Sequence, residues 1–397
     1  MIAKILLPAL VAATAVSAQS STCTKATLTV NSAADATALS SCRTLKGNVV
    51  IGPDTGDTID LSGPGQIDGD LTMTSNGRIV SLSSTSLNSI SGTFKLQNIT
   101  ILSTLSFPAL QSVGAISFQS LPALDELSFG TPGITEAKSV IISDTHLNSL
   151  DGIDLETTSL VDINNNGRLT EFNTQLGNLS DNLNIQANGK DLKVTMPNLI
   201  WIANMTIANV TEFSVPSLEH VNGSMRFDSN YFESFTAPNL TSTGQDISFV
   251  SNSELTNISI PILESVGGGL TIANNTGLER INLPKLETVG GAVKFRGNFS
   301  SVSLPEINDV KGAFDIASTT NITASCDTFE ALNGVIQGSY SCEGEKADAN
   351  DDTSDGDSGS SGSSGSGSDD NDNAGASVAV NSVILGAIFI GAVAQLL

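Results

Sequence analysis

The sequence is poor in the residues that usually carry chemistry. Its 397 residues include two His, one Trp, two Tyr and four Cys. Lys and Arg number 17 against 41 Asp and Glu, a formal net charge of -24. That balance excludes a nucleic-acid partner, because the phosphate backbone is held by neutralising cations. His146 and His220 stand far apart, so no Ser/His/Asp or Cys/His arrangement can be drawn. An aromatic content of 5 % with a lone Trp201 weighs against a strong sugar-binding surface, since rings are the usual low-entropy contact surfaces. No repeat unit shows a sustained 3.6-residue period, which argues against helical rungs.

Long hydrophobic runs are confined to the two ends. Lys4 precedes the apolar stretch Ile5 to Val16, and Val16-Ser17-Ala18 offers small residues where a signal peptidase reads. Residues 1–18 therefore read as a secretory signal, too short for a membrane span. At the other end, 376–397 is largely apolar, and no Lys or Arg follows it. Small residues, a short spacer and a terminal greasy tail form a glycosylphosphatidylinositol (GPI) attachment signal. A simple transmembrane anchor is the rival reading. Asn373-Ala374-Gly375 is the favoured attachment triplet and Gly375-Ala376-Ser377 the next, so Asn373 is the expected lipid anchor and 374–397 the discarded propeptide. Between the folded region (19–345) and that site lies 346–373, acidic and Ser/Gly-rich, with too little apolar content to fold. It reads as a flexible stalk, extended by its own charge.

Secretion sets the redox reading. Cys23 and Cys42 form one close pair and Cys326 and Cys342 another. Four cysteines permit three connectivities, and proximity favours one bridge at each end of the folded region. In an oxidising compartment these are staples and not metal ligands or nucleophiles. Ten Asn-x-Ser/Thr acceptors are present, at Asn98, Asn178, Asn204, Asn209, Asn222, Asn239, Asn257, Asn274, Asn298 and Asn321. On a secreted chain the exposed ones are expected to carry glycans.

What the chain has in abundance is repetition. Prolines followed by x-Leu or x-Ile stand at Pro197, Pro216, Pro238, Pro261, Pro284 and Pro305, about two dozen residues apart, the period of a solenoid. After each Gly-rich step comes an alternating trio, as in Leu270-Thr271-Ile272 and Val293-Lys294-Phe295. Strict alternation means a strand with one buried face. A second short strand follows, and proline ends it because it lacks the ladder donor. Turns of Asn, Gly and Ser tolerate left-handed backbone. One unit cannot bury its apolar stripe alone, but stacked units can. The expected fold is all-β, a parallel solenoid. "FPALQSVGAISF" from Phe107 repeats the phrase, whereas Gly130 to Asn188 is irregular and reads as a junction between two lobes.

The pattern Pro-x-Leu-x-x-Val-Gly-Gly-x-Leu-x-Ile, the flanking Cys pairs, the Ser/Gly stalk and the greasy tail resemble the fungal GPI-anchored cell-wall-organisation proteins, the extracellular-mutant or sporulation-specific family. The resemblance covers essentially the whole chain. It implies a receptor L-domain-like, right-handed β-helix with leucine-rich-like rungs, and a non-enzymatic role in wall integrity without established catalytic residues or cofactors. Implied partners are the GPI lipid and cell-wall glucan or other wall and surface proteins. A ligand-binding module and a polysaccharide-remodelling enzyme are the alternatives.

An enzyme at a wall would need neighbouring acids on one face. The outward stripe reads Ser117, Arg226, Ser248, Thr271, Lys294 and Asp315, with no two carboxylates adjacent. Asp68-Gly69-Asp70 and Asp57-x-x-Asp60 are the closest acidic pairs and read as turn residues. Asp162-x-Asn164-x-Asn166-Gly167 begins as a calcium loop would, but its twelfth position is Asn173 and it aligns with the ordinary rung turn at Asn274, so no metal is expected.

Overall fold

The computed structural model describes residues 21–332 and 334–350. The signal at 1–18, nearly all of the stalk, Asn373 and the terminal tail lie outside the described residues.

The chain winds as a parallel β-solenoid of about 14 turns. Alternation dictates the winding. In Leu270–Ala273, Leu270 and Ile272 are buried while Thr271 faces out. The strand pairs in register with Ile247–Val250 before it and Val293–Gly297 after it, so Ile272 lies between Phe249 and Phe295. Each turn thus places apolar side chains on those of its neighbours. Burial of this kind is worth roughly 25 cal/mol per Å² of apolar surface. Rings continue the stack: Phe227 and Phe249 lie nearly parallel with centroids 4.7 Å apart. A second face of each turn carries the short strands Ser234–Thr236, Asn257–Ser259, Arg280–Asn282 and Ser301–Ser303.

Between the two strands the chain turns a corner through a residue with positive φ, among them Ser229, Ser251 and Asn274. The residue after each of these three is a buried asparagine: Asn230, Asn252 and Asn275. Their side chains form a ladder. Asn252 Nδ2 donates to Phe227 O at 3.0 Å and to Asn275 Oδ1 at 3.0 Å, and Asn252 Oδ1 accepts from Asn230 N at 2.9 Å. Buried turn backbone is thereby satisfied, as it must be away from water.

The irregular stretch 130–188 is not a junction between lobes. Strands Ser112–Leu121, Ser139–Thr145, Thr157–Asn164, Asn178–Gln186 and Trp201–Ala208 pair in succession through it without a break. Its irregularity has a local cause. In the C-terminal turns each main strand is split by a glycine step, as Ser265–Val266 and Leu270–Ala273. There a Cβ on Gly267 would lie 2.1 Å from Gly244 O. In the middle turns the strands run through small bulges instead, with Ser180 and Ala203 following the paired Leu179 and Ile202. The pairing is the same; only the glycine signature is missing.

Both ends are closed by short helices. At the N-terminal end Ala33–Leu39 starts at Ser32, whose hydroxyl accepts from Asp35 N, and buries Ala36 and Leu39. Cys23 and Cys42 are bridged there, Cα to Cα 5.7 Å. At the C-terminal end Thr323–Glu330 buries Phe329 edge-on against Phe314, and Cys326 is bridged to Cys342 on the last strand, Tyr340–Glu343. These helices escape a periodicity search because seven or eight residues show barely two turns. The Ser32-x-x-Asp35 signature was the readable sign of the first.

Candidate interaction face

Among the described residues the outer face of the main sheet is the longest surface that the winding makes continuous. Register joins Thr72, Lys95, Ser117, Ile141, Asp162, Asn184, Thr206, Arg226, Ser248, Thr271, Lys294 and Asp315 into a single outward column. The stripe read from the sequence is therefore one column, but it skipped the four residues between Ser117 and Arg226, where the repeat is blurred. Two residues further along each strand lies a second column, which includes Gln97, Gln119, Ser143, Asn164 and Gln186 and then Asp228, Val250, Ala273 and Arg296.

The middle of this face is made of amides and hydroxyls bonded to one another. Asp162 Oδ1 accepts from Asn164 Nδ2 at 2.8 Å and from Asn184 Nδ2 at 2.9 Å. Ser143 Oγ donates to Asn164 Oδ1 at 2.6 Å, and Gln97 Nε2 to Gln119 Oε1 at 3.3 Å. Further along, charges replace amides. Arg296 pairs with Asp315 across adjacent turns. Burial lifts the Asp228 carboxyl above the usual aspartate range, against the opposing pull of Arg226. No two carboxylates are neighbours in the outward column: Asp162 is flanked by Ile141 and Asn184, and Asp315 by Lys294 and Ser341.

The calcium-like stretch is split by the pleat and the corner. Asp162 and Asn164 face outward, while Asn166 turns inward and donates to Ile142 O at 3.0 Å and Asn188 Oδ1 at 3.1 Å. The early acids are turn acceptors, with Asp70 receiving Thr93 N at 2.7 Å and Asp60 receiving Ser62 N at 2.9 Å. His146 touches Pro122 O, and His220 lies between the hydroxyls of Thr241 and Ser242, so the two rings sit in different turns.

One groove lies elsewhere. The strand after Asn209 begins three residues on, at Glu212, whereas after Asn274 it begins six residues on, at Arg280. Beside this shortened corner opens a groove of about 610 Å³, lined in part by Glu212, Tyr231, Glu233 and Glu254. Glu212 also faces Lys193, at 3.5 Å on an exposed surface.

Of the ten glycan acceptors none is buried. Asn98, Asn178, Asn222, Asn239, Asn257 and Asn321 are exposed, and Asn204, Asn209, Asn274 and Asn298 half-buried. Asn98, Asn209 and Asn274 all occupy the positive-φ corner. None lies in either outward column of the main sheet.

A capped parallel solenoid whose outer face is rich in amides and hydroxyls, with glycan acceptors outside its two columns, is a surface-display protein in its architecture. Comparison with known sequences makes this specific. A sequence profile described as Ecm33, GPI-anchored cell wall organization protein, matches residues 1–40. Protein ecm33 of Aspergillus fumigatus is 46 % identical over 355 residues, 89 % of this chain and 88 % of that protein. A cell surface GPI-anchored protein of Arthroderma benhamiae is 37 % identical, covering 82 % and 85 %. The cell wall protein ecm33 of Schizosaccharomyces pombe is 37 % identical, covering 78 % and 74 %. Among solved structures a leucine-rich repeat protein from Bacteroides ovatus aligns over 66 % of this chain and 84 % of its own, at 10 % identity and a TM-score of 0.30, too low to carry any inference. The chain belongs to the Ecm33 family of GPI-anchored cell wall proteins, located at the cell surface and wall and acting in cell-wall organisation.

Proposed function

We propose that this chain organises the wall as a non-enzymatic scaffold, held at the membrane by a GPI lipid on Asn373 and engaging wall glucan or neighbouring surface proteins through the solenoid. The observation that carries the reading is the outward column, in which no carboxylate has a carboxylate neighbour. Glycoside chemistry needs two carboxyls roughly 5–10 Å apart, one of them with a raised pKa. A remodelling enzyme would instead have to work in the acidic groove beside Asn209, and that is the specific observation favouring the rival.

The test is wall integrity in cells lacking the chain. Complementation by a Glu233→Gln/Glu254→Gln variant as full as by the wild type supports the scaffold. Loss of complementation by a folded, surface-displayed variant favours the enzyme. The anchor has its own test. Treatment of cells with a phosphatidylinositol-specific phospholipase is expected to release the protein that has not been transferred to the wall. Mass spectrometry that found 383–397 in the mature chain would replace the lipid with a transmembrane anchor. The glycan acceptors form part of the same reading, with Asn209 and Asn274 both modified because they share one corner. Enzymatic deglycosylation is expected to increase electrophoretic mobility, and unchanged mobility refutes this.

A further inference from the structure

We infer that the outer face between Lys95 and Thr206 is the docking surface for an uncharged, linear, hydroxyl-rich polysaccharide; the inference rests on the scaffold reading and names its partner. Three observations carry it.

The first is chemical. Gln97, Gln119, Ser143, Asn164, Asn184 and Gln186 stand on consecutive turns in two adjacent columns. Each amide offers both a donor and an acceptor, the pairing a sugar hydroxyl requires. Successive turns of a parallel ladder lie about 4.8 Å apart, so the same group recurs at short, even intervals along the axis. A linear polymer laid along the face meets the same chemistry at each step. The bonds within the face orient these groups before any partner arrives, which lowers the ordering cost of binding.

The second is charge. Lys95 and Asp162 are the only ionisable residues of the two columns over this span, and they cancel on a chain whose net charge is -24. A neutral patch on so acidic a protein offers nothing to a polyanion or a basic peptide and suits a neutral polymer. Within the two columns Ile141 is the one large apolar residue, and Trp201 stands at the margin in register with Asn178, so the columns themselves lack the aromatic and arginine anchors of a protein-protein hot spot.

The third is what the glycan acceptors avoid. Asn98 and Asn209 mark the corner margin of the face, and Asn178 and Asn204 the opposite one. Between them runs a lane free of acceptors, although it contains Asn164 and Asn184. Two residues after Asn184 stands Gln186, where Ser or Thr would complete an acceptor.

That near-miss supplies the experiment. Gln186→Thr completes an Asn-x-Thr acceptor at Asn184 on an outward strand, whereas Gln186→Ala removes the same amide without creating one. Full-length protein in mild detergent is co-sedimented with insoluble β-1,3-glucan, chitin and α-mannan particles. The wild type is expected to sediment with at least one of them, and the variant glycosylated at Asn184 to bind it about tenfold more weakly or worse. Gln186→Ala, which deletes one of the six recognising groups, is expected to weaken binding by clearly less than the glycan does. Trimming the added glycan with an endoglycosidase, which leaves the Asn184 amide in place, is expected to bring binding back toward that of Gln186→Ala. Should Asn184 remain unoccupied, Gln119→Lys/Gln186→Lys places two cations on the face and carries the same expectation.

Unchanged sedimentation of a glycosylated or doubly charged variant overturns the inference, as does a wild type that binds none of the three polymers or only a surface protein. Wall complementation separates the two readings. If the wild type rescues the wall yet binds no polymer, the docking surface is wrong and the scaffold stands.

Discussion

The middle and C-terminal turns of this solenoid pair their strands in the same way and look quite different in sequence. Strands from Ser112–Leu121 to Trp201–Ala208 run seven to ten residues, while those from Met225–Asp228 to Phe314–Ser318 run four or five behind a two-residue strand and a glycine step. Outward, the middle turns present amides and the C-terminal turns an ion pair, Arg296 with Asp315. Inward, both stack Ile, Leu, Val and Phe. Hence the conspicuous repeat, Pro-x-Leu-x-x-Val-Gly-Gly, records how the chain bends between strands, and not where strands pair. A region can lose that phrase and keep its ladder.

The largest effect expected is on the element both regions share. Ile272→Asp buries an unpaired charge between Phe249 and Phe295, which costs several kcal/mol and should unfold the adjoining turns. Thr271→Asp, one residue away and facing out, is expected to be nearly neutral. Thermal melting of both variants checks this, and equal losses would contradict the alternation. Next comes the corner. Asn252→Ala strands Phe227 O and Asn230 N inside the protein and should cost about 3 kcal/mol in denaturant unfolding. Asn184→Ala on the outer face should cost less than about 1 kcal/mol, because water replaces its partner.

The glycine step should distinguish the regions directly. Gly267→Ala drives a methyl into Gly244 O and is expected to cost about 2 kcal/mol. Ser180→Thr, at the matching place in a middle turn, likewise adds a methyl, keeps the acceptor at Asn178, and should change stability by under about 0.5 kcal/mol. Comparable losses at both sites would mean the step matters less than the contact suggests. The smallest effect concerns Asp228. Its carboxyl binds its proton more tightly folded than unfolded, chiefly through burial. The penalty for ionising it is therefore absent below the ordinary aspartate range and present once pH rises past the folded value. Asp228→Asn should raise the melting temperature slightly at about pH 7 and leave it unchanged at about pH 3.

The solenoid was legible because period two and a proline every two dozen residues leave few alternatives. The outward trios fell where alternation put them, as in Met225-Arg226-Phe227. The interaction face was legible only in its C-terminal part, where each trio is announced by glycines. From Ile141 to Thr206 no punctuation marks the strands, so the amides there could not be assigned to one surface until register aligned them. The corner asparagines were read as backbone-tolerant turn residues. In fact the tolerance belongs to Ser229, Ser251 and Asn274, and the asparagine after each is a buried hydrogen-bonding group. Sequence distinguishes the two roles poorly, because Asn serves both. The groove beside Asn209 came from three missing residues, a signal that an interval of 19 between Pro197 and Pro216 had already hinted at.

The bridged ends have a consequence for assembly. A parallel ladder is a self-template, because its last strand offers a further chain the same row of amide and carbonyl groups that it received from the turn before. Nothing in the repeat itself says stop. Helix Ala33–Leu39 with Cys23–Cys42, and helix Thr323–Glu330 with Cys326–Cys342, take the place of a further short strand in the first and last turns, so the stack of the second face ends there. They turn an open-ended polymerisation motif into an object with a counted number of turns. On a crowded cell surface that count is what separates a display protein of fixed length from a seed for fibres.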